Sequence, residues 1–468
     1  MNTKNISIAI VLALVFCMSI FAIKDQIKGF LRENLPFHTK AYVNNLLKNQ
    51  EINFISNEIA YRSMQDFFNV PDFPELKKFE NSYYFSSARL ELETFKTNFL
   101  LKQKNEKATG GAYLAQFKEN IIIAQENGLF FNLSSNELDS KSSKIGVDHI
   151  DSNIFSIIKY FEFYGPGQYG IKGMYADSSH LYVSVSFKQN KDCFNTSILR
   201  APFKENFLEF SVFFVPNQCV NIFNEYGEYN ASDSGGRITN FDESRILFSS
   251  GSFRFRDLAQ DSESHLGKIL AIHKDSANAE IISMGHRNVM GLVYSKNTNQ
   301  IWSTEHGPNG GDEINSNVLD IGPHPKNFGW PISSYGEHYA ASNYNPEGAL
   351  IVDTDHATYA KAPLHKSHKE YGFVEPVLYF TPSIGISAIE IIDERFSKEK
   401  RFDMVFASMG THKNAALEKS IFLFDSKEKK YQKIFQGERI RDILFLQKKS
   451  ILMFTGETTG IIGIISLK

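Results

Sequence analysis

A loop at residues 305–315 contains the densest group of potential ligands in the chain. It reads EHGPNGGDEIN, and its three glycines and one proline exclude a regular helix or strand. Proline lacks an N–H and glycine tolerates positive φ, so the carbonyls of Gly307 and Pro308 can turn toward a ligand. With the carboxylates of Asp312 and Glu313 nearby, the loop offers the mixture of oxygens that calcium prefers. Such loops are also ordinary turns, so composition alone leaves both interpretations open.

The chain that must position this loop has 468 residues, 42% of them hydrophobic, which is typical of a globular protein. That length suits more than one domain or a single large all-β unit. Lys and Arg number 50 against 53 Asp and Glu, for a net charge of −3. This balance provides no basic field, so we expect no nucleic-acid partner.

An apolar run near the N-terminus predicts export. Residues 6–23, ISIAIVLALVFCMSIFAI, lie between Lys4 and Lys24 and form 18 apolar or small positions. This is longer than a secretory signal core and close to the length of a membrane-spanning helix. We interpret residues 1–23 as an uncleaved transmembrane signal anchor that holds the protein on the periplasmic side of the membrane. Cleavage, which would release a secreted form, is the alternative.

Two cysteines remain beyond this segment. Cys17 lies in the apolar run, while Cys193 and Cys219 flank strand-like stretches. In an oxidising compartment Cys193 and Cys219 are able to pair. Two unpaired thiols are the alternative.

The rest of the chain changes character near residue 106. Residues 24–105 predict a short helical stalk, broken by Pro36, and an irregular N-terminal extension. Residues 106–468 contain short β-rich runs separated by turn residues at roughly 8–12-residue spacing, which is typical of all-β folds. No helical pattern of roughly 10–15 residues alternates with them, which argues against a parallel α/β sheet. We predict an all-β, six-bladed β-propeller; a large sandwich is the competing fold.

Further motifs surround the loop. GHRNVMGL precedes it, IWSTEHGPNGGDEIN contains it, and NFGWP and SYG follow. Together they resemble the signature of the glucose/sorbosone dehydrogenase family, exported aldose dehydrogenases that use pyrroloquinoline quinone (PQQ). The resemblance is dense over residues 285–336, thins to islands across 160–460 and is absent from 1–105. It implies a six-bladed propeller with PQQ and Ca²⁺ at the top of the central channel.

The resemblance implies specific roles for the loop. In the family, calcium is bound by the main-chain carbonyls of a Gly-Pro pair, which here is Gly307 and Pro308. The nearby Asp312 would support that metal site. His306 occupies a position where some members have glutamine, and we expect it to contact the cofactor.

Basic and amide side chains elsewhere in the chain also match positions with known roles in the family. The family's Arg-Asn pair that contacts the quinone corresponds to Arg287 and Asn288. The run GQYGIKG places Gln168 where the family has an active-site glutamine. The run GERIRD places Arg439 and Arg441 where arginines hold the cofactor's carboxylates. Planar bidentate guanidinium groups suit the three carboxylates of PQQ.

The expected catalytic base is replaced. Family members have a histidine in a pattern like H-x-(G/S)-G-R, but this chain reads DSGGR and has Asp233 in that place. Asp233, Gln168 and Arg287 are therefore the catalytic candidates. An aspartate with an ordinary pKa near 4 is a weaker base than histidine near neutrality. His286 and His306 are alternative proton acceptors.

A second departure concerns a cofactor-contacting lysine that the family has near the position of residues 406–410. Lys413 or Lys419 would be its substitute.

These departures leave more than one function open. The first is a PQQ- and calcium-dependent oxidoreductase that oxidises an aldose or a related sugar or alcohol by transfer of a hydride from C1 to the quinone. The alternative is a catalytically weakened propeller that binds a sugar or another ligand, and an accidental match to an unrelated all-β scaffold is the third possibility. The identity of the sugar and of the electron acceptor stays open.

Overall fold

The structure is a computed structural model that describes residues 71–468 except 72, 101–110, 140–141, 159–169, 191, 205, 225–228, 323, 338–363, 398–400 and 412–416. The predicted anchor at 1–23, most of the predicted stalk, Gln168 and Lys413 lie outside these residues. Within the part of the chain that is described, no helix is long and apolar enough to cross a membrane.

Short strands joined by tight turns make up most of the described chain. The earliest are β1 (Glu75–Lys78), β2 (Tyr84–Phe85) and β3 (Leu90–Thr97). The next two repeats contain β4 (Ala112–Phe117), β5 (Asn120–Gln125), β6 (Phe130–Ser134), β7 (Lys144–Gly146), β8 (Asp148–Ser152), β9 (Gly170–Ala176), β10 (His180–Asn190), β11 (Cys193–Pro202), β12 (Phe207–Leu208), β13 (Ser211–Phe214) and β14 (Val220–Asn221).

The middle of the chain continues the pattern with β15 (Gly235–Asn240), β16 (Arg245–Ser250), β17 (Lys268–His273), β18 (Ala279–Met284), β19 (Val289–Ser295), β20 (Gln300–Glu305), β21 (Asp312–Val318), β22 (Lys326–Asn327) and β23 (Leu378–Phe380). The last strands are β24 (Ile386–Ile391), β25 (Met404–Ser408), β26 (Ser420–Asp425), β27 (Lys430–Gln436), β28 (Ile440–Leu446), β29 (Ile451–Gly456) and β30 (Ile461–Leu467). The described helical residues are α1 (Ile154–Ile157), α2 (Glu394–Ser397) and 3-10 turns at Ser135–Asp139, Arg256–Ala259 and Lys369–Tyr371.

These strands form six largely antiparallel sheets. Their orders are β12-β8-β6-β5-β4, β13-β11-β10-β9, β15-β16-β17-β18-β22, β19-β20-β21-β23, β24-β25-β26-β27-β2 and β28-β29-β30-β3-β1-β7. Tight hairpins set the register: β4 and β5 pair from Ala112↔Gln125 to Phe117↔Asn120, and Lys118 at the turn has φ 55°. The central strands of each sheet pack against a neighbouring sheet on both faces. This explains why runs such as SIFLFD in β26 are buried throughout and do not alternate.

One strand from each sheet lines a central channel. In ring order these inner strands are β4, β9, β15, β19, β24 and β28, and β28 packs against β4 to close the circle. The structure therefore confirms the predicted six-bladed β-propeller, and the competing sandwich is wrong. Inner strands of a propeller run in the same direction, so their first residues meet at one end of the channel, which we call the upper end.

The sixth blade is completed by a strand from the opposite end of the chain. Strand β3 pairs antiparallel with β30, from Leu90↔Leu467 to Lys96↔Ile461, and β1 then pairs with β3. The change in sequence pattern near residue 106 predicts that the propeller begins there. These pairings assign part of the 24–105 segment to the propeller sheets, because the last blade needs an outer strand to cover its edge.

Cys193 and Cys219 form a disulfide that spans 26 residues and joins β11 to the segment before β14. A cross-link over a loop of this length restricts the unfolded chain. We expect Cys193→Ser to lower the free energy of unfolding by about 3 kcal/mol, measured by denaturant titration under oxidising conditions. Cys219→Ser and wild type with reductant are the matched controls and should give the same loss. Equal stability of oxidised and reduced wild type would contradict this prediction.

Candidate active site at the upper end of the channel

Most of the predicted site residues meet at the upper end of the channel. Asp233 comes shortly before inner strand β15, Arg287 and Asn288 lie directly before β19, and Arg441 is the second residue of β28. The loop at residues 306–311 connects β20 to β21 at the same end, because β20 runs antiparallel to β19. Distant stretches of sequence are thus brought together by the common direction of the inner strands.

Asp233 is buried between two arginines. It is 4% exposed, and its Oδ2 lies 2.9 Å from Arg287 Nη2 and 3.2 Å from Arg254 Nε. Arg254 and the preceding Phe253 both adopt left-handed φ, 68° and 52°, a conformation that is unfavourable for such side chains. The Phe253 N–H donates to the Asp233 carbonyl at 2.8 Å, which fixes this turn beside the carboxylate. To accept a proton on Oδ2, Asp233 would have to weaken a guanidinium contact.

Arg287 links Asp233 to the loop. Its Nη1 donates to the His306 carbonyl at 3.1 Å, and its guanidinium lies 5.6 Å from the Trp330 ring centre. Its main-chain N–H donates to Glu305 Oε1, which also accepts from Asn288 N–H at 3.3 Å. Arg287 is 3% exposed, so its orientation is fixed on several sides.

Asn288 connects two neighbouring inner strands. Its side-chain Oδ1 accepts from Gly235 N–H at 3.1 Å, and its carbonyl accepts from His306 N–H at 3.0 Å. Asn288 is 2% exposed. Its observed contacts brace the start of β15 and the loop.

His286 has a structural environment. It is 0% exposed, with Nδ1 2.9 Å from Glu305 Oε2 and Nε2 2.8 Å from Ser283 Oγ. Its ring stacks on Phe328 with centroids 4.8 Å apart. Because both ring nitrogens are engaged inside the protein, His286 is not positioned as the alternative proton acceptor.

Asp312 braces the loop through its carboxylate. Oδ1 accepts from Gly307 N–H at 3.3 Å, and Oδ2 accepts from the N–H groups of Ile384 and Ile386, both at 3.0 Å. Between described residues, no hydrogen bond is accepted by the carbonyl oxygens of Gly307 or Pro308. The side chain of Asp312 therefore sets the loop conformation, while two carbonyls are left for a ligand.

Gly307 is required by close contacts within the loop. A Cβ at this position would lie 2.3 Å from the carbonyl oxygens of both Gly310 and Gly311. Gly311 itself has φ 66° and donates its N–H to the Phe380 carbonyl at 2.9 Å. The glycines that predicted an irregular loop thus allow it to fold tightly on itself.

His306 is only partly buried, but its Nε2 is buried and has no hydrogen-bond partner in the described chain. Burial lowers the pKa of His306, against the opposing charge of Asp312. The ring is therefore neutral near pH 7. A neutral ring with an unused nitrogen is able to donate to a ligand or to accept from one, depending on its tautomer.

Arg439 and Arg441 share one buried carboxylate. Arg439 Nε lies 2.9 Å from Glu457 Oε2, and Arg441 Nε contacts Glu457 Oε1. Arg441 Nη2 also lies 3.6 Å from Glu126 Oε1. Burial alone would raise the pKa of Glu457, but the charges of Arg441 and Arg439 hold it below its usual range. Both arginines are therefore held in place by a glutamate.

The matching family model, described as Glucose / Sorbosone dehydrogenase, covers residues 167–463. This range includes the loop, both arginine clusters and five of the six inner strands. The chain belongs to the glucose/sorbosone dehydrogenase family. The resemblance inferred from the motifs is confirmed.

Similar proteins agree with this glucose/sorbosone dehydrogenase assignment. Aldose sugar dehydrogenase YliI of Escherichia coli (strain K12) is 28% identical over 248 residues, 48% of this chain and 58% of that protein. The chain spans 30% and 20% of the length of two other curated relatives. It therefore spans less than two thirds of the curated relatives it matches.

Solved structures support the propeller fold. The soluble aldose sugar dehydrogenase of Escherichia coli in the apo form has a TM-score of 0.56 and 19% identity, over 81% of this chain and 100% of that one. The PQQ-bound aldose sugar dehydrogenase of Streptomyces coelicolor has a TM-score of 0.51 and 16% identity, over 82% and 99%.

Sequence reasoning missed the acidic partners in this family member's site. Glu126, Glu305 and Glu457 each end or directly follow the second strand of a blade, and each is at most 9% exposed in its side chain. A glutamate followed within a few residues by glycine occurs at all three places, in QENG, TEHG and GETTG. That recurrence was an available signal. Nothing in the sequence indicated that Arg254 contacts Asp233, because this contact depends on a left-handed turn at residues 253 and 254.

The lysine expected near residues 406–410 is absent. A Cβ on Gly410 would lie 3.0 Å from Lys419 Cγ, so Lys419 is adjacent to this position. In the described residues no group of three or more His, Cys, Asp or Glu side chains is arranged to hold a metal ion. The predicted calcium contacts are main-chain carbonyls, which are a different kind of ligand.

Farther along the channel, the inner strands line a cavity of about 220 Å³ that includes Arg237, Asp442 and Glu390. Arg237 Nη1 contacts Asp442 Oδ1, and Glu390 has no ion pair with a described residue. Burial raises the pKa of Glu390 to about 8, with the charge of Asp442 adding to the effect. Glu390 is therefore neutral in the folded protein at pH 7.

A pH-dependent loss of stability follows for Glu390. In the unfolded chain its carboxyl ionises above about pH 4.3, whereas in the folded protein it stays protonated to about pH 8. Its contribution to the free energy of unfolding should therefore fall as pH rises through this window, by roughly 1–3 kcal/mol. Glu390→Gln should show a flatter profile in denaturant titrations from pH 5 to 8. Parallel profiles for the variant and wild type would contradict this.

Proposed function

We propose that this chain is a PQQ- and calcium-dependent oxidoreductase that oxidises an aldose or a related sugar or alcohol. The observation that carries the proposal is the continuous buried network Asp233–Arg287–His306 carbonyl at the upper end of the channel. It joins the candidate base to a loop in which the carbonyl oxygens of Gly307 and Pro308 accept no hydrogen bond from a described residue. Family membership supports a sugar dehydrogenase activity in general, and these residues support the finer proposal.

The residues at this end fit an anionic quinone and a hard cation. Guanidinium groups from Arg287, Arg439 and Arg441 are already oriented by carboxylates, and their planar, charged donors suit the carboxylates of the quinone. A Cβ on Gly111 would lie 2.5 Å from Glu126 Oε1 and 3.0 Å from Arg441 Nε. A larger residue at this position would therefore collide with the Glu126–Arg441 pair, and glycine avoids the collision. The carbonyls of the Gly-Pro pair are the oxygen ligands that Ca²⁺ would use.

Each protein group then has a defined task. The bound quinone, polarised by calcium, would supply the acceptor for a hydride from the sugar. Asp233 would accept the proton of the sugar hydroxyl, and Arg287 would hold that carboxylate in place. His306 would hydrogen-bond the cofactor or the sugar through Nε2, which has no partner in the described residues. Asp312 would keep the loop carbonyls oriented.

The contacts of Asp233 also favour a second candidate, a propeller that binds its ligand but turns over poorly. Two arginines hold Oδ2 of this carboxylate at 2.9 Å and 3.2 Å, and a proton accepted by either oxygen would remove the negative charge on which both ion pairs depend. A histidine base would carry no such charge pairing. A binding module with residual or no turnover is therefore the specific alternative.

Reconstitution separates the two candidates. The full-length chain would be titrated with PQQ in the presence of Ca²⁺ or of a chelator, and dye-linked oxidation would be followed over a panel of aldoses and sugar alcohols. Calcium-dependent, saturable turnover on at least one sugar is the expected result. Saturable PQQ binding with no turnover on any sugar would overturn the enzyme proposal and favour the binding module.

We also propose that the protein is exported and held at the periplasmic face of the membrane by residues 1–23, close to a membrane-bound electron acceptor. The apolar run between Lys4 and Lys24 supports this. Cell fractionation should find the full-length chain in the membrane fraction and accessible to protease from the periplasm. A shortened chain found only in the soluble periplasmic fraction would contradict it.

A further inference from the structure

Lys172 has a mostly buried side chain whose ammonium is not paired with any residue that the structure describes. It is the third residue of inner strand β9 and is 9% exposed. Its ammonium makes no hydrogen bond or ion pair with any described residue. Burial lowers the pKa of Lys172 to about 8, with Glu126 as the largest opposing charge.

The surroundings of Lys172 locate it at the candidate active site. Glu126, Arg441 and Glu457 are the charged groups that act on its ammonium, and all three belong to the shared-carboxylate cluster described above. On the other side, a Cβ on Gly236 would lie 2.3 Å from Lys172 Cβ. Gly236 therefore leaves room for this side chain at the junction of β9 and β15.

A second buried lysine, Lys268, makes the contacts that are typical of a structural role. Lys268 is 0% exposed, and its Nζ donates to the carbonyls of Leu258, Ala259 and Leu266 at 2.6, 3.1 and 2.8 Å. Burial also lowers the pKa of Lys268 to about 8. Its three donors are all used within the protein, whereas those of Lys172 are not.

The arginines at the site differ from Lys172 in the same respect. Arg287, Arg439 and Arg441 each have a carboxylate oxygen within 2.9 Å. The Lys172 side chain is mostly buried, and its ammonium contacts no carboxylate of the described residues, so its charge lacks a counter-charge in direct contact. An anionic ligand would provide that counter-charge.

We propose that Lys172 binds a carboxylate group of the quinone cofactor and provides the part of its affinity that the carboxylate-paired arginines do not. The inference rests on the proposed function, because it takes PQQ as the occupant. Because the ammonium has no partner among the described residues, its removal should weaken the binding of the cofactor. The same removal should not lower the stability of the cofactor-free protein.

The test uses the full-length chain with Ca²⁺ and measures PQQ affinity by equilibrium titration of the quinone's absorbance. Lys172→Met should weaken PQQ binding about ten- to a hundredfold, as expected for the loss of a charge-assisted hydrogen bond. Lys172→Arg should recover most of the affinity. Lys448→Met is the matched control, because it removes the same charge from an 83% exposed side chain on the β28–β29 hairpin, at the other end of the channel.

Thermal unfolding of the cofactor-free variants completes the test. Lys172→Met should be at least as stable as wild type. A markedly less stable Lys172→Met protein would assign a structural role and overturn the inference. PQQ binding by Lys172→Met within twofold of wild type would also overturn it, while the proposed function would stand. Failure of wild type itself to bind PQQ would overturn the proposed function and the inference together.

Discussion

Asp312→Ala should abolish saturable PQQ binding and lower the free energy of unfolding by about 3–5 kcal/mol. The carboxylate accepts from three main-chain N–H groups, those of Gly307, Ile384 and Ile386. Asp312 is 2% exposed, so its removal leaves these donors without acceptors in a buried place. The loop would then lose the conformation that directs its two carbonyls. Denaturant titration and PQQ titration with Ca²⁺ measure the two effects.

Asp312→Asn is the matched variant for this prediction. It keeps the shape of the side chain and one acceptor oxygen but loses the charge, so its stability and PQQ affinity should fall between those of wild type and Asp312→Ala. If Asp312→Ala binds PQQ as wild type does, the loop is not organised by this carboxylate and the assignment fails.

Asp233→Asn should reduce sugar oxidation by about 10²–10⁴-fold, since it removes the proposed proton acceptor. The amide preserves the shape of the side chain beside Arg287 and Arg254 but cannot accept a proton in the reaction. PQQ affinity should change far less than turnover, because Arg287 keeps its hydrogen bond to the His306 carbonyl. Steady-state assays with the best sugar of the panel would measure kcat, and titration would measure cofactor affinity.

His306→Gln is the control for this variant. If His306 were the proton acceptor, His306→Gln would show the large loss of kcat and Asp233→Asn would not. Asp233→His gives a second check, since a histidine there would be free of the charge pairing with Arg254 and Arg287. Equal turnover of wild type and Asp233→Asn would remove Asp233 from the mechanism.

The irregular conformation of the loop and the propeller fold could both be predicted from the sequence, for physical reasons. Gly307, Gly310 and Gly311 exclude regular structure, and the structure shows that a Cβ on Gly307 would collide with two carbonyls. Short β-rich runs with frequent turns predicted a six-bladed propeller, because each blade needs four short strands. The count of cysteines beyond the apolar run allowed Cys193 to pair with Cys219 but left two free thiols as the alternative, and the structure shows the disulfide.

Other features depend on contacts between distant residues and have little local signature. Strand β3 reads LELETFKT, and nothing in its pattern indicates that it pairs with β30 at the far end of the chain. The role of Glu457 emerges only when Arg439 and Arg441 are placed on the neighbouring strand. The pairing of Asp233 with Arg254 requires a left-handed turn that the sequence does not predict. Only the structure could therefore show that Asp233 is an ion-paired carboxylate and not a free one.

One measurement tests the central claim most directly: single-turnover reduction of the bound quinone by an aldose, followed by stopped-flow absorbance with Ca²⁺ and without an external electron acceptor. This isolates the chemical step from the unknown acceptor. The account predicts rapid loss of the oxidised-quinone absorbance in wild type and at least a hundredfold slower loss in Asp233→Asn. Quinone that binds tightly but stays oxidised with every aldose in both proteins would contradict the account.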